Sequence, residues 1–98
     1  MTISPNIRQQ LLTAVRRARA MADQRLKDAP DYAVMQSAAK QLLYINTVAA
    51  SDNVPTTAEA DRLTLGVLAA REFENSDPEF AAIVFQVLEL LEQLMTDA

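Results

Sequence analysis

Ninety-eight residues, half of them apolar and 22% charged, fit one folded domain over residues 1–98 rather than a disordered tail or two cores. The chain has no Cys and no His, which excludes disulfides and thiolate chemistry and removes the commonest general base and the commonest metal ligand. A single Gly excludes the glycine-rich loops that cradle phosphates, so composition argues against most enzymes and implies no cofactor.

The net charge of −4 is unevenly spread. Residues 1–30 hold Arg8, Arg16, Arg17, Arg19, Arg25 and Lys27 against Asp23 and Asp28. Residues 31–98 hold only Lys40, Arg62 and Arg71 against eleven acids. Such an acidic second half repels phosphates and opposes a nucleic-acid partner; a basic surface on another protein suits it better. The start of the chain lacks the basic and apolar regions of a signal peptide. The longest strongly apolar stretch, Phe80 to Leu88, is far short of the ~20 residues that cross a bilayer. A cytoplasmic protein with no membrane partner is expected.

The chain order predicts helices. Ser4-Pro5 resembles an N-cap followed by Pro at the first helical position. Ile7, Leu11, Val15, Ala18, Ala22 and Leu26 then recur at helical spacing, and Pro30 ends the run near Asp28. Asp31 is placed to cap a second helix with the stripe Met35, Ala38, Leu42, Ile45 and Ala49. Ser51 to Pro55 forms a break. Thr56 and Glu59 have capping-box spacing and open a third helix with Ala60, Leu63, Val67, Ala70 and Phe73 on one stripe. Gly66 in its middle is costly in a helix and implies close packing of a neighbour. Asp77 before Pro78 caps a fourth helix with the stripe Phe80, Ile83, Val84, Val87, Leu90, Leu91 and Leu94. Phe85 and Leu88 lie off that stripe, so this helix is either central or meets a partner, and a homodimer is permitted. The expected fold is all-α: a compact antiparallel bundle of about four helices.

Catalytic and metal chemistry is poorly supplied. Glu89 and Glu92 share a helix face, but carboxylate metal sites in bundles add His, which is absent. Ser37 and Lys40 are a lone Ser-x-x-Lys with no glycine-rich oxyanion loop to serve it. Arg16-Arg17-x-Arg19 is a basic knot without adjacent aromatics for base stacking, and ion pairing with the acidic helices explains it better. No catalytic and no metal-binding residue is expected. A protein-binding module is what these exclusions leave.

Ala39-Lys40-Gln41-Leu42-Leu43-Tyr44-Ile45 and Asp61-Arg62-Leu63-Thr64-Leu65-Gly66, continuing through Ala70-Arg71-Glu72-Phe73 to Asp77-Pro78-Glu79, resemble in content and separation the small helical immunity proteins encoded beside type VI secretion effectors. The likeness is strongest to the branch that neutralises an NAD(P)⁺ glycohydrolase toxin. The resemblance spans about residues 35–80. It implies a non-enzymatic antitoxin of interbacterial competition, whose partner is the cognate toxin domain of the effector. Leu42, Ile45, Leu63, Leu65 and Gly66 read as core, and Arg62 as a bridge to an acid within the domain. Tyr44, Glu72, Glu74, Asp77 and Glu79 are the candidate toxin contacts, chosen for reach, charge and position at or near the joint between the third and fourth helices. The alternatives are a helical adaptor or chaperone that binds an effector without inhibiting it, and immunity to a toxin of another activity.

Overall fold

The computed structural model describes residues 6–97, and the regular structure among them is helical. Helix α1 (Ile7–Asp28) is capped by Asn6, whose side chain accepts from the Gln9 N–H at 2.8 Å. Ser4 and Pro5, expected to start this helix, lie outside the described residues. Leu11, Ala14, Val15, Ala18 and Ala22 are buried along α1, and Arg25 and Lys27 complement the negative end of its dipole.

Helix α2 (Ala33–Ala50) buries Met35, Ala38, Leu42, Ile45, Val48 and Ala49. Asp31 does not cap it. The N-cap is Tyr32, which makes no side-chain capping bond, because the Tyr32 N–H closes onto the Ala29 carbonyl and leaves Asp31 inside the turn. Gln36 ties the entry instead, its amide donating to the Pro30 carbonyl at 2.7 Å.

The expected continuous third helix is broken. Helix α3 (Thr57–Asp61) carries both bonds of the capping box, from the Glu59 N–H to Thr56 Oγ1 and from the Thr56 N–H to Glu59 Oε1. The chain then leaves the helix at Arg62–Thr64 and re-enters it as α4 (Leu65–Leu68), which runs on as a π-helical turn over Ala69–Phe73. Gln41 of α2 holds the break open. Its amide donates to Thr64 Oγ1 at 2.9 Å, and its carbonyl accepts the Thr64 N–H at 2.8 Å, so that donor needs no helical acceptor.

The interruption resets the helical phase. Leu65, Ala69 and Phe73 turn inward, while Val67 and Ala70, expected on the buried stripe, stay exposed. Eight residues of ideal α-helix drift about 80° past two full turns. The wider π turn, closed by the Glu74 N–H on the Ala69 carbonyl, takes up that drift and keeps Phe73 in the core.

Helix α5 (Pro78–Asp97) starts at Asp77, whose carboxylate accepts from the Phe80 N–H. Its whole expected stripe is buried, with Ala81 added. The central position nevertheless belongs to α1, which packs along both α2 and α5, while α4 and the π turn bridge α2 and α5. Arg8 at one end of α1 reaches the end of α2, and Arg25 at the other reaches the start of α5, so α1 runs antiparallel to both. The radius of gyration is 13.5 Å, close to the ~13 Å of a compact 100-residue chain. Among the described residues no helix is long and apolar enough to cross a membrane.

Candidate partner-binding surface

The joint between the π turn and α5 gathers four of the five candidate contact residues, and they do different jobs. Asp77 is half-buried and already engaged: Arg25 Nε meets Asp77 Oδ2 at 2.9 Å, and Arg25 Nη2 meets Oδ1 at 3.2 Å. This two-pronged pair fastens the last turn of α1 to the first turn of α5. Glu79 stands 3.9 Å from the same guanidinium and is otherwise open to solvent. Glu72 and Glu74 are exposed on and just after the π turn, with no ion pair among the described residues.

The Arg25 hydrogen bond holds the Asp77 carboxyl below the ordinary carboxylate range. Burial opposes this; the Arg25 charge and the Phe80 N–H add to it. A depressed folded-state pKa contributes stability above the unfolded value, and that contribution is lost as pH falls through the folded value. Asp77→Asn keeps a capping oxygen but cannot titrate. Thermal melts from pH 7 down to pH 2 are therefore expected to show the variant less stable at neutrality and converging on the parent below about pH 4. Parallel curves over that range would show that the pair carries no linkage.

Tyr44 lies elsewhere. Tyr32, at the head of α2, meets Phe73 edge-on with ring centroids 6.2 Å apart, which places it at the joint. Tyr44 is twelve residues further along the same helix, about 18 Å away. There it is half-buried beside Glu59, Arg62 and Leu63 in a shallow hollow, and burial first, then the Glu59 charge, pushes its phenol up. The five residues thus form two patches.

The other polar groups singled out in the sequence assemble no chemistry. The Ser37 hydroxyl accepts from Gln41, not from Lys40, which is exposed. Glu89 and Glu92 are exposed, and no group of three or more metal-ligating side chains forms among the described residues. Arg16, Arg17 and Arg19 make no ion pair among the described residues; Arg25 is the member of α1 that pairs with the acidic half. Arg62 forms no bridge within the described residues. It only assists in lowering the Glu59 pKa, after the two Thr56 hydrogen bonds.

Two features have no signal in the local sequence. Arg8 donates to three main-chain carbonyls forty and more residues away. Val67 is 55% exposed beside a furrow lined by Leu63, Gly66, Leu88, Leu91 and Met95. The break at Thr64 is the signal that would have revealed Val67, and its cause, Gln41, lies on another helix. The α3–α5 side carries Glu59, Asp61, Glu72, Glu74, Asp77, Glu79, Glu89 and Glu92 against Arg62 and Arg71, while α1 carries most of the cations.

A family model described as Tsi6 matches residues 10–93. The chain is 43% identical over 65 residues to the immune protein Tsi6 of Pseudomonas aeruginosa, covering 66% of this chain and 68% of that protein. The solved structure of Tsi6 from Pseudomonas aeruginosa aligns with a TM-score of 0.74 and 32% identity over 83% of each chain. The structure of Tse6 in complex with Tsi6 provides a chain that aligns with a TM-score of 0.76 and 33% identity, over 86% of this chain and 88% of that one. A match over most of the length, in sequence and in backbone, means that this chain belongs to the Tsi6 family.

Proposed function

We propose that this chain is a single-domain immunity protein. It binds the toxin domain of a cognate secreted effector in the cytoplasm of producing and kin cells and stops its hydrolysis of NAD(P)⁺, with no catalysis of its own. The observation that supports this most is the family relationship: a relative is named an immune protein, and a similar structure is that of Tse6 in complex with Tsi6. The NAD(P)⁺-consuming activity of the toxin rests on the resemblance of the two sequence runs.

The charge layout supports the same reading. A cleft that binds the pyrophosphate of a dinucleotide is electropositive, and an acidic helical face competes for it and speeds capture. Glu72, Glu74 and Glu79 act as steering charges, Asp77 contributes from beside Arg25, and Tyr44 offers a ring on the neighbouring patch. A standard interface of about 800 Å² per partner is wide enough to take in both patches.

Titrating the protein into an NAD⁺-consumption assay of the toxin domain encoded beside it is expected to end turnover sharply at one equivalent. Full turnover at large excess would overturn the reading. Binding without inhibition would leave an adaptor.

A further inference from the structure

The furrow between α3–α4 and α5 is an apolar surface that the core does not absorb. Leu63, Gly66, Val67, Leu88, Leu91 and Met95 line a space of about 370 Å³. Val67 is the most exposed large apolar side chain among the described residues. Gly66 sets the depth. A Cβ there would stand 3.2 Å from Leu88 Cδ1, so the bare backbone lets α5 close in beneath the furrow. Asp61 and Glu92 stand at its rim, and neither carboxylate is ion-paired within the described residues.

We propose that this furrow is where a segment of the effector's toxin domain bearing both apolar and basic side chains is seated; the inference rests on the immunity reading above. Charge complementarity selects that occupant. An aliphatic floor with unpaired carboxylates along its edge matches a Lys or Arg side chain, whose methylene stem lies on Val67 and Leu88 while its cation meets Glu92 or Asp61. Well-packed apolar contacts at the centre of an interface carry most of its affinity, and rim charges mainly set the association rate. Leu43 provides the contrast: it is 50% exposed, nearly as open as Val67, but lies beside Arg19, Asp23 and Lys40, in a hollow with two cations.

The test measures association and dissociation of the toxin domain encoded beside this chain. Wild type is compared with Val67→Arg, Glu92→Lys and Leu43→Arg, each first shown by circular dichroism to melt like the parent. Val67→Arg is expected to weaken binding about tenfold or more, mainly through faster dissociation. Glu92→Lys is expected to slow association severalfold and flatten its salt dependence. Leu43→Arg is expected to bind as the parent does. Wild-type binding that Val67→Arg leaves intact, or that Leu43→Arg weakens equally, overturns the furrow and spares the immunity reading. Absence of wild-type binding overturns the immunity reading itself. A wild-type homodimer that Val67→Arg splits assigns the furrow to a second copy and overturns the proposal.

Discussion

Replacing Phe73 with alanine is expected to cost about 3–5 kcal/mol of stability, a large share of the 5–15 kcal/mol typical of a whole domain. Phe73 is fully buried at the end of the π turn. Its ring meets Phe80 edge-on at a centroid distance of 5.0 Å and an interplanar angle of 85°, and it meets Tyr32 edge-on as well. One side chain therefore joins the π turn, the first turn of α5 and the head of α2. Its removal leaves a cavity among three elements that cannot all collapse inward together, and it removes the quadrupole contacts of both pairs. In a domain of this size each kcal/mol moves the melting midpoint by about 4–8 °C. The expected fall is thus roughly 12 °C or more. Urea unfolding of Phe73→Ala and Phe85→Ala checks this, because Phe85 is 40% exposed and its loss is expected to cost well under half as much. Equal losses at the two sites would mean that the aromatic trio does not tie the joint together.

Arg8→Met is expected to destabilise by about 2–3 kcal/mol, although Arg8 lies off the apolar stripe of α1. Its Nη1 donates to the Val48 carbonyl at 2.8 Å and to the Ser51 carbonyl, and its Nη2 donates to the Asn53 carbonyl at 3.0 Å. These acceptors belong to the last turn of α2 and the loop that leaves it, where the dipole is negative; the Val48 carbonyl also accepts from the Ser51 N–H and hydroxyl. Methionine retains much of the aliphatic stem and removes every donor, so the loss reports on the hydrogen bonds rather than on packing. Lysine keeps the charge but lacks the flat fork that reaches three oxygens, and Arg8→Lys is expected to recover less than half of the loss. Chemical denaturation measures both. Faster amide exchange in residues 51–56 of Arg8→Met would place the effect in the α2–α3 loop. A loss below about 0.5 kcal/mol would reduce the clasp to an exposed contact.

On the proposed reading, the acidic candidates and the apolar furrow would make separable contributions to binding. Glu72, Glu74 and Glu79 are exposed charges at the joint, and exposed charges affect encounter more than residence. The furrow at the other end of α4 has the opposite character, and its occupant would govern dissociation. Tyr44 lies across α3 from the furrow, with Leu63 lining both hollows.

Helices α1, α2 and α5 were legible in the sequence because each buries a stripe whose period a local window can read. Leu11 to Ala22, Met35 to Ala49 and Phe80 to Leu94 face inward as their spacing predicts. The capping box at Thr56 and the cap at Asp77 were equally legible, since their partners lie three residues away. The split of basic and acidic halves and the resemblance to an immunity family were carried by composition and by two short runs. Tertiary structure alone decided the rest. Gln41 on α2 interrupts the third helix at Thr64, and that one long-range hydrogen-bonded pair turns Leu65 and Ala69 inward and leaves Val67 outside. Arg25 binds Asp77 across more than fifty residues, and Arg8 clasps carbonyls forty or more residues away. No local pattern reports an interaction whose two ends share neither a helix turn nor a loop. The capping box at Thr56, the cap at Asp77, the stripes of α1, α2 and α5 and the split of charge were therefore written in the sequence, while the phase of α4, the separation of Tyr44 from the acidic joint and the exposed furrow followed from how the helices pack.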